Sequence, residues 1–229
     1  MKLPLLLSVP HAGLSVPAEV GSLCILKRSD IIEDGDEGAE AICYPLKGRV
    51  SAFVTTHVAR AVVDVNRDVN DRGKDGAVKT HTCWDVPVYR TAPSGELVQE
   101  LLGKYYKPYH DAIAGNMGGA MLGVDCHTMA REGPPVGPDP GRRRPAVCLS
   151  NAGFTCSDEW LASMAECFEA AFNREILLNN PFKGGFIIRS HAGAVPWIQV
   201  ELSREPFLAD EEKSRRVLQA LTDWCGKNS

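Results

Sequence analysis

The sequence predicts an α/β protein, a domain with a central mixed sheet. Short apolar runs typical of buried strands alternate along the chain with segments of helical periodicity. Three of the apolar runs lead to a residue that can bind metal or move a proton, namely His11, His127 and Glu201. Because ligands of open α/β sheets bind at the carboxyl ends of strands, we expect these three side chains to share a site.

The whole chain has the properties of one ordinary domain. Its 229 residues are enough for one sizeable core, so we predict a single domain over 1–229. The net charge of −4 argues against a nucleic-acid partner. No apolar run approaches the roughly 20 residues that span a bilayer, and no signal peptide is recognisable, so we predict a cytosolic protein without a membrane partner. The eight cysteines form no Cys-x-x-Cys pair and are expected to be reduced and mostly buried.

Sequence patterns in the first part of the chain predict three strands and one acidic segment. A strand over 3–8 ends in a turn that carries His11 between a proline and a glycine. The acidic cluster 33–40 is either a solvated helix start or a source of a metal ligand, and both alternatives remain open. A short strand is predicted over 52–56, and the β-branched run 58–68 predicts another, buried one.

An aspartate and an asparagine inside the run 58–68 are unusual for a buried strand. Alternation places Asp64 and Asn66 on one face, where a buried charge is costly unless it is paired. One interpretation is an Asp–Arg ion pair that only stabilises the sheet. The other is an arginine that binds a substrate carboxylate in a bidentate manner. The polar segment 69–88 that follows predicts a loop over a site, in which His81 has no assigned role.

Alternation also predicts which side chains share a face in the strands that lead to His127 and Glu201. Asp125 and His127 share one face and Cys126 lies on the other, so Asp125 can support His127. Cys126 is then a small buried residue rather than a nucleophile. In the last strand, Gln199 and Glu201 share a face in the same way.

The remaining elements follow from helical periodicity, proline and glycine. Ser94 is the expected N-cap of a helix that Pro108 kinks, and His110 on this helix is expected in the core or in support of the site. Gly226 is the expected stop of the last helix. The predicted elements are helix 96–114, strand 120–125, loop 131–145, strand 145–149, helix 157–178, strand 185–189, strand 197–201 and helix 210–225.

Together, the polar residues at the strand ends indicate a metal-dependent amide hydrolase. Two histidines and a carboxylate form a catalytic zinc shell with an open position, and a further glutamate can take a proton from water. An arginine can hold the oxyanion and another can hold a substrate carboxylate.

Motifs throughout the chain resemble those of the N-formylglutamate amidohydrolase family. They occur in family order and cover nearly the whole chain. The motifs are Ser-Val-Pro-His-Ala-Gly (8–13), Asp-Glu-Gly-Ala (36–39), Ala-Arg-Ala-Val-Val-Asp-Val-Asn-Arg-Asp (59–68), Pro-Tyr-His (108–110), Asp-Cys-His-Thr (125–128), Phe-Lys-Gly-Gly-Phe (182–186) and Gln-Val-Glu-Leu (199–202).

The resemblance implies a three-layer α/β/α fold with a central mixed sheet, phosphorylase/hydrolase-like and similar to that of zinc carboxypeptidases. It implies hydrolysis of the amide bond of an N-acyl amino acid such as N-formylglutamate, with one zinc ion as cofactor and this small molecule as partner. The residues that it implies are His11, Asp36 and His127 as metal ligands, with Glu37 as the competitor of Asp36, Arg60 as the oxyanion partner, Asn66 and Arg67 for a substrate carboxylate, and Glu201 as the general base.

Two other classes of function compete with this hypothesis. The chain could be a catalytically silent member of the family that binds an acylated amino acid or a partner protein. A cysteine hydrolase that uses Cys126 is disfavoured, because Cys126 and His127 point to opposite faces of their strand.

Overall fold

The computed structural model of the protein describes residues 2–228 and contains one mixed sheet flanked by helices. Within these residues, six strands lie in the order β2-β1-β3-β6-β4-β5. The strands are β1 (Leu3–Val9), β2 (Val50–Thr55), β3 (Leu122–Met129), β4 (Val147–Ser150), β5 (Leu177–Leu178) and β6 (Trp197–Ser203). The α-helices are α1 (Arg28–Asp34), α2 (Ala39–Cys43), α3 (Gly95–Leu101), α4 (Lys107–Gly115), α5 (Asp158–Phe172), α6 (Phe186–His191) and α7 (Asp210–Asn228).

The strand directions confirm the predicted mixed sheet. β1 is parallel to its neighbours β2 and β3, and β3 is parallel to β6. β4 runs antiparallel to β6, and β5 is parallel to β4. The chain adds β2 on one side of β1 and β3 on the other, so a crevice opens at the carboxyl ends of β1 and β3, which is where such sheets bind ligands.

Two separate hydrophobic clusters lie on the two faces of the sheet and confirm the predicted three layers. Alternation sends Leu5 and Leu7 of β1 into one cluster and Leu6 into the other. Helices α2, α5 and α7 pack in the first cluster, and α3, α4 and α6 pack in the second. The residues that anchor these helices include Ile42, Phe168 and Trp224 on one face, and Leu101, Ile113 and Ile187 on the other.

Local signals set the helix ends largely as predicted. Ser94 caps α3 by accepting a backbone N–H of the first turn at 3.2 Å. The helix predicted over 96–114 is interrupted by a π-helical turn, Leu102–Tyr106, which ends two residues before Pro108. Helix α5 ends earlier than predicted, because Asn173 adopts the left-handed conformation with φ of 51° and terminates it. The residues beyond it are therefore free to form β5.

Three predictions of secondary structure were wrong. The run 58–68 forms turns rather than a strand, because the Asp64 side chain accepts the backbone N–H of Asn66 at 2.8 Å and folds the chain locally. Residues 185–189 belong to helix α6, since a short apolar run does not distinguish a strand from a buried helix. Gly226 does not stop the last helix, which runs on to its end at residue 228.

The cysteines are mostly buried, as predicted from the sequence. Seven of the eight cysteines are buried, and no disulfide joins any two of them in residues 2–228. Among the same residues, no helix is both long and apolar enough to cross a membrane.

The contact between β3 and β6 leaves no room for a side chain at Gly123. This residue is the register partner of Trp197, which is fully buried, and an added Cβ would lie 2.3 Å from two carbons of the indole ring. We expect Gly123→Ala to lower the free energy of unfolding by about 1–3 kcal/mol, because an overpacked core must shift. Urea denaturation measures this change.

The matched control is Gly103→Ala, at a helical position where an added Cβ meets open space. This substitution should leave stability unchanged or raise it by about 0.5–1 kcal/mol. Equal unfolding midpoints for the two variants would contradict the proposed steric role of Gly123.

Candidate active site

All seven residues singled out in the sequence line one cavity of about 570 Å³ at the carboxyl ends of the central strands. His11 follows β1, and Glu201 lies within β6. β3 continues past its predicted end, so His127 lies inside this strand rather than after it. The cavity residues predicted from the sequence are His11, Asp36, Arg60, Asn66, Arg67, His127 and Glu201.

Three buried side chains form a cluster at the base of the cavity. His11, Asp36 and His127 each offer a ligand atom, and these atoms lie within 4.8 Å of one another. Asp36 Oδ2 lies 2.9 Å from His127 Nδ1 and 3.5 Å from His11 Nδ1. The cluster therefore brings two nitrogen donors and one oxygen donor to a common point, a composition suited to a catalytic metal site with an open position.

A carboxylate behind each imidazole fixes which nitrogen faces the cluster. His11 Nε2 lies 2.8 Å from Asp64 Oδ1, and His127 Nε2 lies 2.8 Å from Asp125 Oδ2. Ionised carboxylates only accept, so each Nε2 carries a proton, and in the neutral imidazole this leaves the Nδ1 lone pair directed at the cluster. The sequence predicted the contact between Asp125 and His127, but gave no sign of the role of Asp64 behind His11.

The cluster fits a cation. With the imidazoles neutral, His127 Nδ1 and Asp36 Oδ2 are two acceptors at 2.9 Å, which is favourable only if a positive charge lies between them. His11 Nδ1 is buried and has no hydrogen-bond partner in the described residues. Burial opposes the charge on His127, but Asp125 and Glu201 outweigh it and hold the pKa of His127 well above its usual value. These observations all indicate a centre that requires positive charge.

The structure separates Asp36 from its competitor Glu37. Asp36 is buried in the cluster, whereas the Glu37 side chain is exposed and lies outside the cavity. Arg204 holds the turn before Asp36, because its guanidinium donates to the carbonyl oxygens of Glu33 and Gly35. No motif pointed to Arg204, which follows β6 and also lines the cavity.

Glu201 is buried beside the cluster and is oriented by its neighbour on the same face of β6. Gln199 Nε2 donates to Glu201 Oε1 at 2.7 Å, and Gln199 Oε1 accepts the Gly185 N–H at 2.6 Å. Since a backbone N–H can only donate, it fixes which end of the Gln199 amide faces Glu201. Burial raises the pKa of Glu201 above its usual value, and the charge of Asp36 adds to this effect. A carboxylate of this kind is a suitable proton acceptor.

Asp64 also connects the cluster to Arg60. Arg60 Nε donates to Asp64 Oδ2 at 3.0 Å, and Arg60 Nη1 donates to the Asp34 carbonyl at 3.2 Å. The interpretation of Asp64 as part of an internal ion pair therefore holds. This pair also holds the guanidinium on the cavity wall, with Arg60 Nη1 3.9 Å from Asp36 Oδ1.

Asn66 and Arg67 line the cavity next to each other but are fixed by different partners. Asn66 Oδ1 accepts the Ile187 N–H at 2.8 Å, and its Nδ2 lies 3.3 Å from His127 Nε2. Arg67 donates through Nε to the Asp75 carbonyl and through Nη2 to Asp75 Oδ2, at 2.9 and 2.6 Å. Only one edge of the Arg67 guanidinium is used, so the end that carries Nη1 remains available.

The other histidines and Cys126 lie outside the cavity. His110 Nε2 lies 3.0 Å from the Val65 carbonyl, and its Nδ1 lies 2.9 Å from His191 Nε2. His110 thus supports the turn that presents Asn66, as expected for a residue in support of the site. His81 does not line the cavity. The side chain of Cys126 packs in the hydrophobic cluster on the opposite face of the sheet, as alternation predicted.

The two long loops predicted from the sequence form part of the cavity wall. Segment 69–88 contributes Asp75 and Trp84, and segment 131–145 contributes Pro138 and Arg144. The arginine triplet is not a uniformly solvated turn, because Arg144 is buried and makes two hydrogen bonds to one aspartate, at 2.7 and 2.8 Å. Its two neighbours in the triplet are exposed as expected.

The fold and the site together define an α/β protein with a buried candidate metal centre and an adjacent proton acceptor. Sites of this kind support metal-assisted hydrolysis. The chain belongs to the N-formylglutamate amidohydrolase family, whose family model matches residues 3–208. This match confirms the resemblance that the sequence motifs indicated.

Individual relatives cover nearly the whole chain. It is 26% identical to an N-formylglutamate deformylase of Pseudomonas aeruginosa over 248 residues, which include 97% of this chain and 92% of that protein. It is 27% identical to one of Pseudomonas putida over 256 residues, with coverages of 97% and 94%.

Two solved structures confirm the fold. The N-formylglutamate amidohydrolase of Ralstonia eutropha JMP134 aligns with a TM-score of 0.77 at 19% identity, over 99% of this chain and 93% of that chain. The gene product Atu2144 of Agrobacterium tumefaciens aligns with a TM-score of 0.76 at 18% identity, over 99% and 90%.

The contact between Asp64 and His11 generates a prediction about metal affinity. Asp64→Asn replaces a charged acceptor by a neutral amide that also donates, so the His11 tautomer is no longer fixed. We expect affinity for Zn²⁺ to fall roughly ten- to a hundredfold. Titration against a competing chromophoric chelator measures this affinity.

The control is Asp111→Asn, at an exposed aspartate on α4 that should leave metal affinity unchanged. Circular dichroism must show that both variants are folded. Wild-type metal affinity in a folded Asp64→Asn protein would rule out a role of Asp64 in orienting His11.

Proposed function

We propose that the protein is a zinc-dependent amidohydrolase that cleaves the amide bond of an N-acyl amino acid, such as N-formylglutamate. The observation that carries the proposal is the buried His11–Asp36–His127 cluster, with its lone pairs converging beside the buried carboxylate of Glu201. Family membership and the names of the relatives support the same chemistry. We also propose that 1–229 acts as a single domain in the cytosol.

His11, Asp36 and His127 would hold one zinc ion through two imidazole nitrogens and one carboxylate oxygen. When bound, zinc supplies Lewis acidity to the amide carbonyl and to the attacking water. The hydrogen bonds to Asp64 and Asp125 keep the two imidazoles in the tautomer that this role requires.

Glu201 takes the proton of the attacking water as the oxygen adds to the carbonyl carbon. It is suited to this role because its pKa is raised by burial and Gln199 holds its Oε1 in a fixed orientation. When the C–N bond breaks, Glu201 returns the proton to the leaving amine nitrogen. The products are a carboxylic acid, which is formate for a formyl substrate, and the free amino acid.

Arg60 and the pair Asn66–Arg67 bind the two negatively charged groups, which are the developing oxyanion and the substrate carboxylate. Arg60 donates to the oxyanion that develops on the carbonyl oxygen, because Asp64 holds its guanidinium at the cavity wall. Arg67 and the Asn66 amide bind the carboxylate of the amino acid. If His127 Nε2 donates to Asp125, it cannot accept from Asn66 Nδ2, and the Asn66 amide hydrogens are then available to substrate.

The first test measures metal content and turnover on the same purified sample. Purified protein should contain one zinc per chain, and it should release formate from N-formyl-L-glutamate. Treatment with a chelator should abolish formate release, and added Zn²⁺ should restore it. Metal without turnover would redirect the search to other N-acyl amino acids, whereas neither metal nor turnover after zinc addition would favour a silent binding protein.

The role of Glu201 is tested by Glu201→Gln, which preserves shape but removes the proton acceptor. We expect kcat to fall by roughly 10²–10⁴, the contribution typical of a general acid–base group. Zinc content should stay at the wild-type level, because Glu201 lies outside the metal cluster. Wild-type turnover in this variant would exclude Glu201 as the base.

A further inference from the structure

One end of the cavity has an apolar wall to which the proposed mechanism assigns no role. The wall consists of Trp84 from segment 69–88, Met129 at the end of β3 and Val136 from segment 131–145. The cavity of about 570 Å³ lies within the roughly 300–1,000 Å³ typical of sites for drug-sized ligands. A formyl amino acid is much smaller than such a ligand, so the cavity has room for a larger substrate.

Met129 lies beyond the metal cluster, on the side away from the proposed carboxylate site. Side chains two residues apart share a face of a strand, so Asp125, His127 and Met129 follow one another along one face of β3. His127 Nε2 points back toward Asp125, and Asn66 Nδ2 lies 3.3 Å from the same nitrogen. Asn66 therefore lies toward the start of the strand, whereas Met129 lies toward its carboxyl end. A substrate with its carboxylate at Asn66 and its carbonyl at the cluster directs its acyl group toward Met129.

Hydrogen bonds hold Trp84 and Val136 close to Met129. The Met129 carbonyl accepts the backbone N–H of Arg204 at 2.9 Å, and Arg204 Nη1 donates to the Glu33 carbonyl at 3.1 Å. Trp84 Nε1 donates to the same carbonyl at 3.3 Å, which fixes the indole and leaves the rest of its ring as apolar surface. The Val136 N–H donates at 3.0 Å to the carbonyl of the residue before Trp84. Three distant segments thus form one wall.

The charged groups near this wall do not favour an anionic acyl group. Arg204 donates through Nη1 and Nη2 to the carbonyls of Glu33 and Gly35, and through Nε to Thr128 Oγ1 at 3.3 Å. Its guanidinium is therefore occupied by the protein. The Glu33 side chain is exposed and also lines the cavity, where its carboxylate would repel another anion. The wall is suited to a neutral, apolar group.

We propose that Trp84, Met129 and Val136 bind the acyl group of the substrate, so that the substrate class is amino acids N-acylated by neutral apolar groups larger than formyl. This inference rests on the proposed function, because it needs the carbonyl at the metal cluster and the carboxylate at Asn66 and Arg67. Burial of each methylene group corresponds to about a fourfold change in an equilibrium constant. The gain should appear mainly in KM, because the added methylenes do not take part in the bond that breaks.

The test measures kcat/KM of the zinc-loaded enzyme for N-formyl-, N-acetyl-, N-propionyl- and N-butyryl-L-glutamate. The last three have carbonyl groups of similar intrinsic reactivity, so the series from acetyl to butyryl isolates the binding of the added methylenes. We expect kcat/KM to rise about three- to fourfold with each methylene, mainly through a lower KM. A flat or falling series, with N-formyl-L-glutamate still hydrolysed, would overturn the inference and leave the proposed function intact. Hydrolysis of none of the four compounds would instead reject both.

Two variants and a matched control connect the effect to the apolar wall. Trp84→Ala and Val136→Ser should each lower kcat/KM for N-butyryl-L-glutamate several-fold more than for N-formyl-L-glutamate, up to roughly tenfold. Val86→Ser removes an exposed valine of segment 69–88 that does not line the cavity, so the ratio between the two substrates should stay at the wild-type value. Circular dichroism must show that the variants are folded. Equal losses on both substrates in the Trp84 and Val136 variants would contradict the assignment of the wall to the acyl group.

Discussion

The candidate site depends on two hydrogen bonds between an imidazole and a buried carboxylate. Asp64 behind His11 and Asp125 behind His127 leave each imidazole with one protonated nitrogen and one lone pair. Each buried charge would be costly without further donors. Asp64 also receives Arg60 Nε and the Asn66 N–H. Burial raises its pKa, but the charges of His11, Arg60 and Arg67 outweigh this effect and hold the pKa well below its usual value. Because one carboxylate holds all of these groups, the metal cluster, the candidate oxyanion donor and the turn that carries Asn66 have a common support.

Asp125 has an equivalent support from a second set of hydrogen bonds. Its Oδ1 accepts from Ser8 Oγ at 2.7 Å, and Ser8 Oγ lies 2.7 Å from the Tyr109 hydroxyl. Ser8 uses its only hydrogen toward Asp125, so the Tyr109 hydroxyl must donate to Ser8. This series of hydrogen bonds runs from α4 through β1 to β3 and ends at His127. The position of His127 is thus fixed by the packing of a whole layer rather than by its own strand alone.

The sequence predicts best those features that depend on neighbouring residues. Alternation along β3 and β6 correctly separated His127 and Glu201 from Cys126, because the two-residue period holds wherever a strand is regular. The region around Asp64 was predicted wrongly, since its side chain accepts the nearby Asn66 N–H and also contacts His11, 53 positions away, and strand alternation signals neither contact. Helix α6 was missed for the same reason: Asn66 accepts the N–H of its second residue from 121 positions away in the chain. Residue types therefore identified the site, whereas the connections that hold it together had no local signal.

A buried ammonium links the metal cluster to the arginine proposed to bind the substrate carboxylate. Lys79 is fully buried, lies 3.0 Å from Asp34 and forms an ion pair with Asp75. Asp34 ends the helix that leads into the turn of the acidic metal ligand, and Asp75 holds Arg67. An apolar side chain could fill the volume of Lys79, but it would leave the buried carboxylate of Asp34 without its ionic partner, which is costly. Asp75 also contacts Arg67 along one edge only, which turns the other end of the guanidinium toward the cavity. Through these contacts, Lys79 connects the turn that carries Asp36 to the aspartate that holds Arg67, so one buried ammonium supports two separate walls of the cavity.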